Sequence, residues 1–288
     1  MSIHDVANLL IIGISQGCAY GLVALGFVLI YKATEIVNFS HGEFMMLGAF
    51  ATLPLIAVFG FWLGVLCAIL AVAVVGFLMD LVVMRRIIGE SQASIFILTV
   101  AFGFIFRAVA GMIWGWTALP FPSPFPGWIE FGSLSIQANR IAIVVVTLVL
   151  CGALYLFFSR SRLGLAMQAA SQNQLAAYYQ GIPVKWLISL VWALGAAIAA
   201  VAGIFNAPFT QVDTHIGALG LKALAGAIVG GFGSIPGALL GCLLIGMIEP
   251  FADVYVPMLK GVSAYVIMLA VLFVRPEGLI AQTYSKKV

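Results

Sequence analysis

The chain has 288 residues, of which 64% are hydrophobic and only 8% are charged, and its net charge is +3. Average soluble proteins are about 25% charged, so this composition excludes a single water-soluble domain and indicates a multi-pass membrane protein. The small positive charge indicates cytoplasmic loops at a membrane surface rather than a face that binds nucleic acid. The four cysteines lie in apolar runs without a CxxC pair, so they predict neither a disulfide framework nor a metal site.

The first predicted span covers residues 6–31, a run without a charged residue. A transmembrane helix needs about 20 apolar residues. No basic region precedes the run, so we expect it to remain as a helix rather than to be removed as a signal peptide. Gly13, Gly17 and Gly21 repeat every four residues. This spacing lets two helix backbones approach closely in lipid, which predicts a position at the centre of a helix bundle.

A polar stretch containing Asn38, Ser40, His41 and Glu43 follows the first span. Asn38 or Ser40 can cap the next helix, and Glu43 in its first turn would interact favourably with the helix dipole. The sequence leaves open the alternative that these side chains line a path for a solute. His41 and Glu43 are two residues apart and point to different helix faces, which disfavours a general acid/base pair.

Further apolar runs predict six more spans. Residues 44–79 are too many for one helix and divide around Pro54, Gly60 and Trp62 into two. The run 94–113 contains Arg107, and a charge inside a membrane is costly and usually faces the bundle interior or a partner. Residues 114–139 are rich in Trp, Pro and Gly and contain no Lys or Arg, which predicts an outer loop. Two of the remaining spans are predicted at 141–158 and 186–207, and a last one at 256–274.

Residues 159–185 form a long polar segment between two apolar runs and are bounded by basic residues, so we expect them on the cytoplasmic side. Ser171 or Asn173 can cap a short helix, which Gly181 and Pro183 would end. Its apolar face carries residues at i, i+3 and i+4: Leu175, Tyr178 and Tyr179. Burial of each such side chain is worth about 1.5–3 kcal/mol. The face therefore needs a partner, either the protein's own helix ends or a cytoplasmic subunit.

The apolar stretch 223–248 is interrupted by the sequence GGFGSIPG. Such an interruption is tolerated in a membrane only where the backbone is buried in protein or lines a water-filled cavity. Each half has about a dozen residues, fewer than the ~20 needed to cross alone, so we predict two half-helices that meet halfway through the bilayer. Two short tilted spans are the alternative. At least one glycine of the turn should have a positive φ, and Gly237 and Gly241 should pack against the glycine face of the first span.

The basic residues determine the predicted orientation. Nine of the thirteen lie in four segments that would be cytoplasmic: Lys32, Arg85, Arg86, Arg160, Arg162, Lys185, Arg275, Lys286 and Lys287. The positive-inside rule then places the N-terminus outside and the C-terminus in the cytoplasm. The features together predict an all-α polytopic membrane protein of about eight transmembrane helices, including broken or re-entrant half-helices.

Three stretches carry a family resemblance: VNFSHGEFMMLGAF, SRLGLAMQAASQNQLAAYYQGI and LKALAGAIVGGFGSIPGALLGCLLIG. They resemble signatures of the permease subunits of hydrophobic (branched-chain) amino-acid ABC importers, the LivH-type proteins, and of relatives that import urea or short amides. The resemblance implies one permease domain over 1–288, in a bacterial inner membrane. It also implies a second homologous permease subunit, two cytoplasmic ATPase subunits that bind ATP, and an extracytoplasmic solute-binding protein. No cofactor is expected on this chain itself.

Two groups of functional residues are predicted on this basis. The translocation path is assigned to Asn38, Ser40, His41, Glu43, Gly230, Gly231, Gly233, Ser234 and Pro236. The ATPase-coupling surface, which resembles the family's coupling helix, is assigned to Arg162, Gly164, Gln168, Leu175, Tyr178, Tyr179 and Gly181. The family often carries arginine and acidic residues at four positions where this chain has Met167, Gln168, Gln172 and Asn173. The contact is therefore expected to depend on shape and on the two tyrosines.

Motif searches exclude ATP hydrolysis by the chain itself, because it contains no phosphate-binding G-x-x-x-x-G-K-[ST] loop. GxSxG and HExxH are also absent, which disfavours a membrane enzyme. An ion-coupled secondary carrier would need an acid in the membrane core, and Asp80, Glu249 and Asp253 are all expected near the ends of spans. A neutral or zwitterionic solute fits best. The choice among amino acids, urea and amides, and between a homodimer and a heterodimer, stays open.

Overall fold

The computed structural model describes residues 3–87, 90–131 and 134–280. The helices are α1 (Ile3–Thr34), α2 (His41–Phe59), α3 (Phe61–Val82), α4 (Gln92–Trp114), α5 (Ala138–Arg160), α6 (Arg162–Gln172), α7 (Gln174–Tyr179), α8 (Val184–Thr210), α9 (Leu219–Gly230), α10 (Ile235–Tyr255) and α11 (Ser263–Val274). Within the described residues, seven helices are long and apolar enough to cross a membrane: α1 to α5, α8 and α10. The protein is thus an all-α, multi-pass membrane protein, as predicted.

The predicted spans agree with the helices over most of the chain. Gly60, at φ +76°, separates α2 from α3 and confirms the division of the run 44–79. The last predicted span, 256–274, is wrong as a single helix. A short 3-10 turn, Pro257–Leu259, and Gly261 at φ +76° precede α11, which has only 12 residues. The loop between α4 and α5 also contains an unpredicted antiparallel hairpin of β1 (Trp128–Phe131) and β2 (Leu134–Gln137).

Helices α1 and α8 lie at the centre of the bundle and are the most buried of the spans. The glycine face of α1 packs on α10, because a Cβ on Gly13 or Gly17 would lie within 2.8 Å of the α10 backbone. This arrangement confirms both the central position and the partner helix. The prediction of which α10 glycines contact α1 is wrong, however. Gly237 and Gly241 face α9, and Gly246 is the residue that packs against α1.

Helices α9 and α10 form a tight hairpin around the predicted break. Gly231 ends α9 with φ +106°, and the hydroxyl of Ser234 accepts a hydrogen bond from Gly237 N at 3.2 Å to cap α10. The positive φ is confirmed. The prediction of two half-helices is right for α9, with 12 residues, and wrong for α10, which has 21 and is long enough to span.

The depth predicted for this break is also wrong. The rings of Tyr31 and Phe232 pack edge to face with centroids 4.6 Å apart, so the turn lies beside the C-terminal end of α1 rather than halfway along it. Leu279 N and Ile280 N donate to the carbonyl oxygens of Val229 and Gly230, and this segment covers the turn. Lys286 and Lys287, which contributed to the predicted orientation, lie outside the described residues. The orientation stays a prediction.

The polar segment 159–185 folds as two helices, α6 and α7, instead of one. The side chain of Asn173 accepts a hydrogen bond from Ala176 N at 2.9 Å, so Asn173 is the predicted cap of the short helix α7. The chain then turns at Gly181, with φ +79°, and enters α8 at Val184. The predicted amphipathic helix and its end are therefore both present.

Candidate functional site

The first group of predicted path residues lies where α2 begins inside the protein. His41 is fully buried, and its ring packs on that of Phe27 with centroids 4.5 Å apart. Ser40 and Glu43 both border Gly103, which is the twelfth of the 23 residues of α4. The chain thus leaves α1 at Thr34, returns into the bundle, and starts α2 about halfway along α4. We call the region around this helix start the mid-depth junction.

The backbone at the junction is held by a local turn rather than by the predicted helix cap. The amide and the hydroxyl of Ser40 both donate to Asn38 Oδ1, at 3.1 and 2.7 Å. Ser40 occupies the N-cap position of α2, but its side chain makes no capping hydrogen bond. Glu43 does lie in the first turn, where a helix N-terminus favours a negative charge. Side-chain capping by Asn38 or Ser40 is therefore wrong.

Glu43 instead forms an ion pair with Arg107 of α4. Arg107 Nη2 lies 2.5 Å from Glu43 Oε1, and the two side chains are 30% and 8% exposed. The sequence predicts Arg107 as an intramembrane charge but not its partner, because 64 residues separate the pair. One feature of the sequence could have predicted the pair. Glu43 and Arg107 are opposite charges in two nearby spans, and charges inside a membrane must pair or face water.

A second helix start completes the mid-depth junction. A 3-10 turn, Ile216–Ala218, leads into α9, and a Cβ on Gly42 would lie 3.3 Å from Gly220 Cα. A Cβ on Gly217 would lie 2.7 Å from Glu43 Oε2 and 3.0 Å from the Gly42 carbonyl oxygen, so a larger residue there would displace the Glu43 carboxylate. The starts of α2 and α9 therefore meet beside the ion pair. Arg107, Gly217 and Gly220 were not among the predicted site residues.

The second group of predicted path residues lies elsewhere, at the turn between α9 and α10. Gly230 and Gly231 are buried, Gly233 is half-buried, and Ser234 caps α10. Pro236 is exposed and lines an apolar cavity of about 380 Å³ together with Lys32 and the predicted coupling residue Gln168. The structure does not bring this group together with the first, which lies halfway along α4. The assignment of either group to a path stays a prediction.

A second buried ion pair joins Lys222 of α9 to Glu249 of α10. Tyr20 OH and Gln16 Nε2 both donate to Glu249 Oε2, at 2.7 and 3.0 Å. A cavity of about 200 Å³ is lined by Gln16, Tyr20 and Arg140, but not by either member of the ion pair. The expectation that Glu249 lies near the end of a span is wrong, because it contacts Tyr20 near the middle of α1.

The predicted coupling residues divide into two sets. Gly164 and Gln168 attach α6 to the end of α5: Gly164 N donates to Ser161 Oγ at 2.8 Å, and Gln168 Nε2 donates to the Phe158 carbonyl at 3.1 Å. The other set lies on the surface: Arg162, Leu175, Tyr178, Tyr179 and Gly181. The side chains of Leu175, Tyr178 and Tyr179 are 68%, 63% and 80% exposed. The alternative in which this face packs on the protein's own helix ends is therefore wrong.

Comparison with known proteins identifies the family. Residues 9–274 match the model of the branched-chain amino acid transport system permease component. The chain belongs to this family. The high-affinity branched-chain amino acid transport system permease protein BraD of Pseudomonas aeruginosa is 33% identical over 99% of both chains. The corresponding LivH protein of Salmonella typhimurium is 31% identical over 96% of both chains.

The family assignment confirms the resemblance seen in the three sequence stretches and identifies the chain as a permease subunit of an ABC transporter rather than an enzyme or an ion-coupled carrier. A more distant relative is the galactofuranose transporter permease protein YtfT of Escherichia coli, 28% identical over 80% of this chain and 66% of its own length. Permeases of related sequence are thus named for chemically different solutes.

Proposed function

We propose that this chain is the inner-membrane permease subunit of an ABC importer for branched-chain or other hydrophobic amino acids. An extracytoplasmic binding protein would deliver the solute, and a second homologous permease subunit would complete the path. Two cytoplasmic ATPase subunits would bind and hydrolyse ATP. The names of the relatives with about 30% identity over almost the whole chain support the substrate. The uncovered apolar face of α7 is the observation that carries the ATPase partnership.

The connections of α7 explain how a force on it would reach the membrane helices. Ala177 is buried, and its carbonyl accepts a hydrogen bond from Ile182 N at 3.1 Å, which fastens α7 to the turn before α8. Helix α8 starts directly after this turn and packs closely on α2, because a Cβ on Gly203 would lie 3.1 Å from Met45 Cγ. A displacement of α7 would therefore move α8 against the first turns of α2, next to the mid-depth junction.

Uptake measurements test the substrate and the assembly together. The chain would be produced with the genes encoded beside it in a host that lacks its own branched-chain amino-acid importers. We expect uptake of radiolabelled L-leucine that depends on ATP, and ATPase subunits that co-purify with the chain. Uptake of urea in place of L-leucine would contradict the proposed substrate. Purification without any ATPase subunit would contradict the importer itself.

A double variant tests the docking face on α7. Tyr178→Asp with Tyr179→Asp should leave the protein inserted but lower L-leucine uptake by more than about tenfold. The reason is that an unpaired charge in an apolar interface costs several kcal/mol, and about 1.4 kcal/mol already corresponds to a tenfold change. The matched control is Gln172→Asp with Gln180→Asp, which adds the same charge at exposed polar positions nearby. Wild-type uptake by the tyrosine variant would exclude the proposed docking face.

A further inference from the structure

We propose that Glu43 and Arg107, beside Gly103, form a binding site for a zwitterionic amino acid on the translocation path. Arg107 would bind the α-carboxylate of the solute, and Glu43 would bind its α-ammonium group. The inference rests on the proposed function, because it assumes that an amino acid passes through this chain. It goes further by naming a site halfway through the bundle and the two charges of the solute that the site recognises.

The polar atoms left without partners match the two ends of a zwitterion. Glu43 Oε2, Arg107 Nε, Asn38 Nδ2 and both ring nitrogens of His41 are buried and have no hydrogen-bond partner among the described residues. Buried polar groups of native proteins are nearly always hydrogen-bonded, so such a cluster calls for an explanation. Arg107 Nε and Asn38 Nδ2 are donors, as a carboxylate requires, and Glu43 Oε2 is a carboxylate oxygen, which an ammonium group requires. A neutral imidazole at His41 adds one donor and one acceptor. The Glu43 side chain is only 8% exposed.

The open side of the ion pair indicates contact with water or protein rather than lipid. The Arg107 side chain is 30% exposed, although it lies well inside α4 and is flanked there by Phe106 and Ala108. An exposed guanidinium within the hydrocarbon region is costly, and such charges line water-filled paths or meet a partner. The position fits a path that passes along this face of α4.

Gly103 provides space next to the ion pair. A Cβ at this residue would make ordinary contacts, 3.6 Å from Glu43 Cγ and 3.8 Å from Ser40 Cα. Other glycines of the bundle differ, because a Cβ on Gly48 would lie 2.5 Å from Ala200 Cα. Close helix packing therefore requires glycine at 48 but not at 103. At 103 the missing side chain leaves room beside Glu43 for part of a solute.

A cavity with a mixed apolar and polar lining lies next to the junction along the chain. It has a volume of about 470 Å³ and is lined by the segment that leads into Ser40 and by the first turns of α4. Two of its lining residues, Phe39 and Phe96, pack edge to face with centroids 4.6 Å apart. The apolar part of this lining, which includes Ile36 and Val37 beside the two phenylalanines, suits a branched aliphatic side chain that passes the junction.

Charge neutrality explains why a zwitterion can enter. The ion pair has no net charge. When a zwitterionic amino acid enters, its carboxylate can pair with Arg107 and its ammonium group with Glu43, so no charge is left uncompensated. Urea or a short amide carries no formal charge and cannot compensate Glu43 and Arg107 if they separate. Removal of only one partner of a buried pair is strongly unfavourable. The site therefore favours amino acids over neutral solutes.

A double neutral variant, Glu43→Gln with Arg107→Gln, tests the recognition of charge. It keeps two hydrogen-bonding side chains and leaves no unpaired charge, so the fold should tolerate it. We expect L-leucine uptake, measured per assembled transporter, to fall at least tenfold while the ATPase subunits remain bound. Uptake at the wild-type rate would overturn the proposal and leave the pair with a structural role only. If wild-type protein takes up no L-leucine, the proposed function itself fails, which is a separate outcome.

Gly103→Ala provides a second test that does not depend on the charged residues. The added methyl group makes only ordinary contacts, so the protein should assemble normally. We expect uptake of L-leucine to fall at least threefold and more than uptake of L-alanine, because the space beside Glu43 is reduced. Gly152→Ala is the matched control, since a Cβ there has no atom within 4 Å. Equal uptake by the two alanine variants would overturn the proposal.

Discussion

Two buried ion pairs lie at comparable depths in the bundle but differ in how their remaining polar atoms are satisfied. Both oxygens of Glu249 have partners, since Lys222 binds one of them and Tyr20 and Gln16 donate to the other. Glu43 has a partner only for Oε1, and the Nε atom of its partner Arg107 is also unpaired among the described residues. The first pair is closed, and the second is open.

This difference indicates a structural role for the Lys222–Glu249 pair and a binding role for the Glu43–Arg107 pair. A closed network ties α1, α9 and α10 together, and partners among the described residues already occupy both carboxylate oxygens of Glu249. An open pair costs stability because buried polar atoms lack hydrogen bonds, and a native protein keeps such atoms for a reason, which we propose here is the binding of a solute. Changes at closed positions should therefore lower the amount of folded protein. Changes at the open pair should lower uptake per folded molecule.

Glu249→Ala should have the largest effect on stability. It leaves Lys222 buried without its partner, and breaking a buried pair costs about 3–5 kcal/mol. We expect little properly assembled protein, measured by size-exclusion chromatography of a fluorescent fusion in detergent. Glu249→Met together with Lys222→Met is the control, because removing both charges leaves no uncompensated ion and is often near neutral. A single variant as stable as the double variant would show that this pair does not hold the helices.

Sequence reasoning predicted most of the spans because its main signal, uninterrupted apolar length, is local. It also predicted the division around Pro54, Gly60 and Trp62, which falls at Gly60, and the capped helix α7, where the deciding residues lie within a few positions of one another. The end of the chain was predicted less well. The run 256–274 is long enough to span by composition, but Pro257 and Gly261 shorten α11 to Ser263–Val274.

The candidate site could be predicted only in part. Glu43 and Arg107 were each noticed as unusual, but the pairing of α2 with α4 depends on packing across 64 residues. Gly217 and Gly220 were missed because a glycine that only provides close approach resembles any other glycine in sequence. The turn at Gly231 was found, yet its depth depends on the contact between Tyr31 and Phe232, which has no sequence signature.

Gly231→Val should have the next largest effect, because the turn is a closed region like the Lys222–Glu249 network. The residue has φ +106°, and a Cβ would lie close to the Ile280 carbonyl oxygen. A backbone of this kind costs about 1–3 kcal/mol for a residue other than glycine. We expect a lower midpoint in thermal denaturation. Gly233→Val is the control, since Gly233 is not among the glycines with positive φ. Equal midpoints for the two variants would contradict this account.

The smallest effect on stability is expected at a third ion pair, Asp80 with Arg85. This pair tests what makes an ion pair structural: hydrogen-bond partners for all of its polar atoms, or deep burial. Arg85 is 24% exposed, yet Arg85 Nη2 donates to the Lys185 carbonyl at 2.8 Å and to Ser189 Oγ at 2.6 Å, so it joins α3 to α8. Arg85→Lys keeps the charge but cannot reproduce this planar set of donors. We expect the free energy of unfolding to fall by about 0.5–1.5 kcal/mol, the typical net value of a hydrogen bond, with uptake per folded molecule unchanged.

Arg86→Lys, at the exposed neighbouring residue, is the control for thermal denaturation. If Arg85→Lys instead lowered uptake without any change in stability, partner satisfaction would not distinguish structural pairs from functional ones.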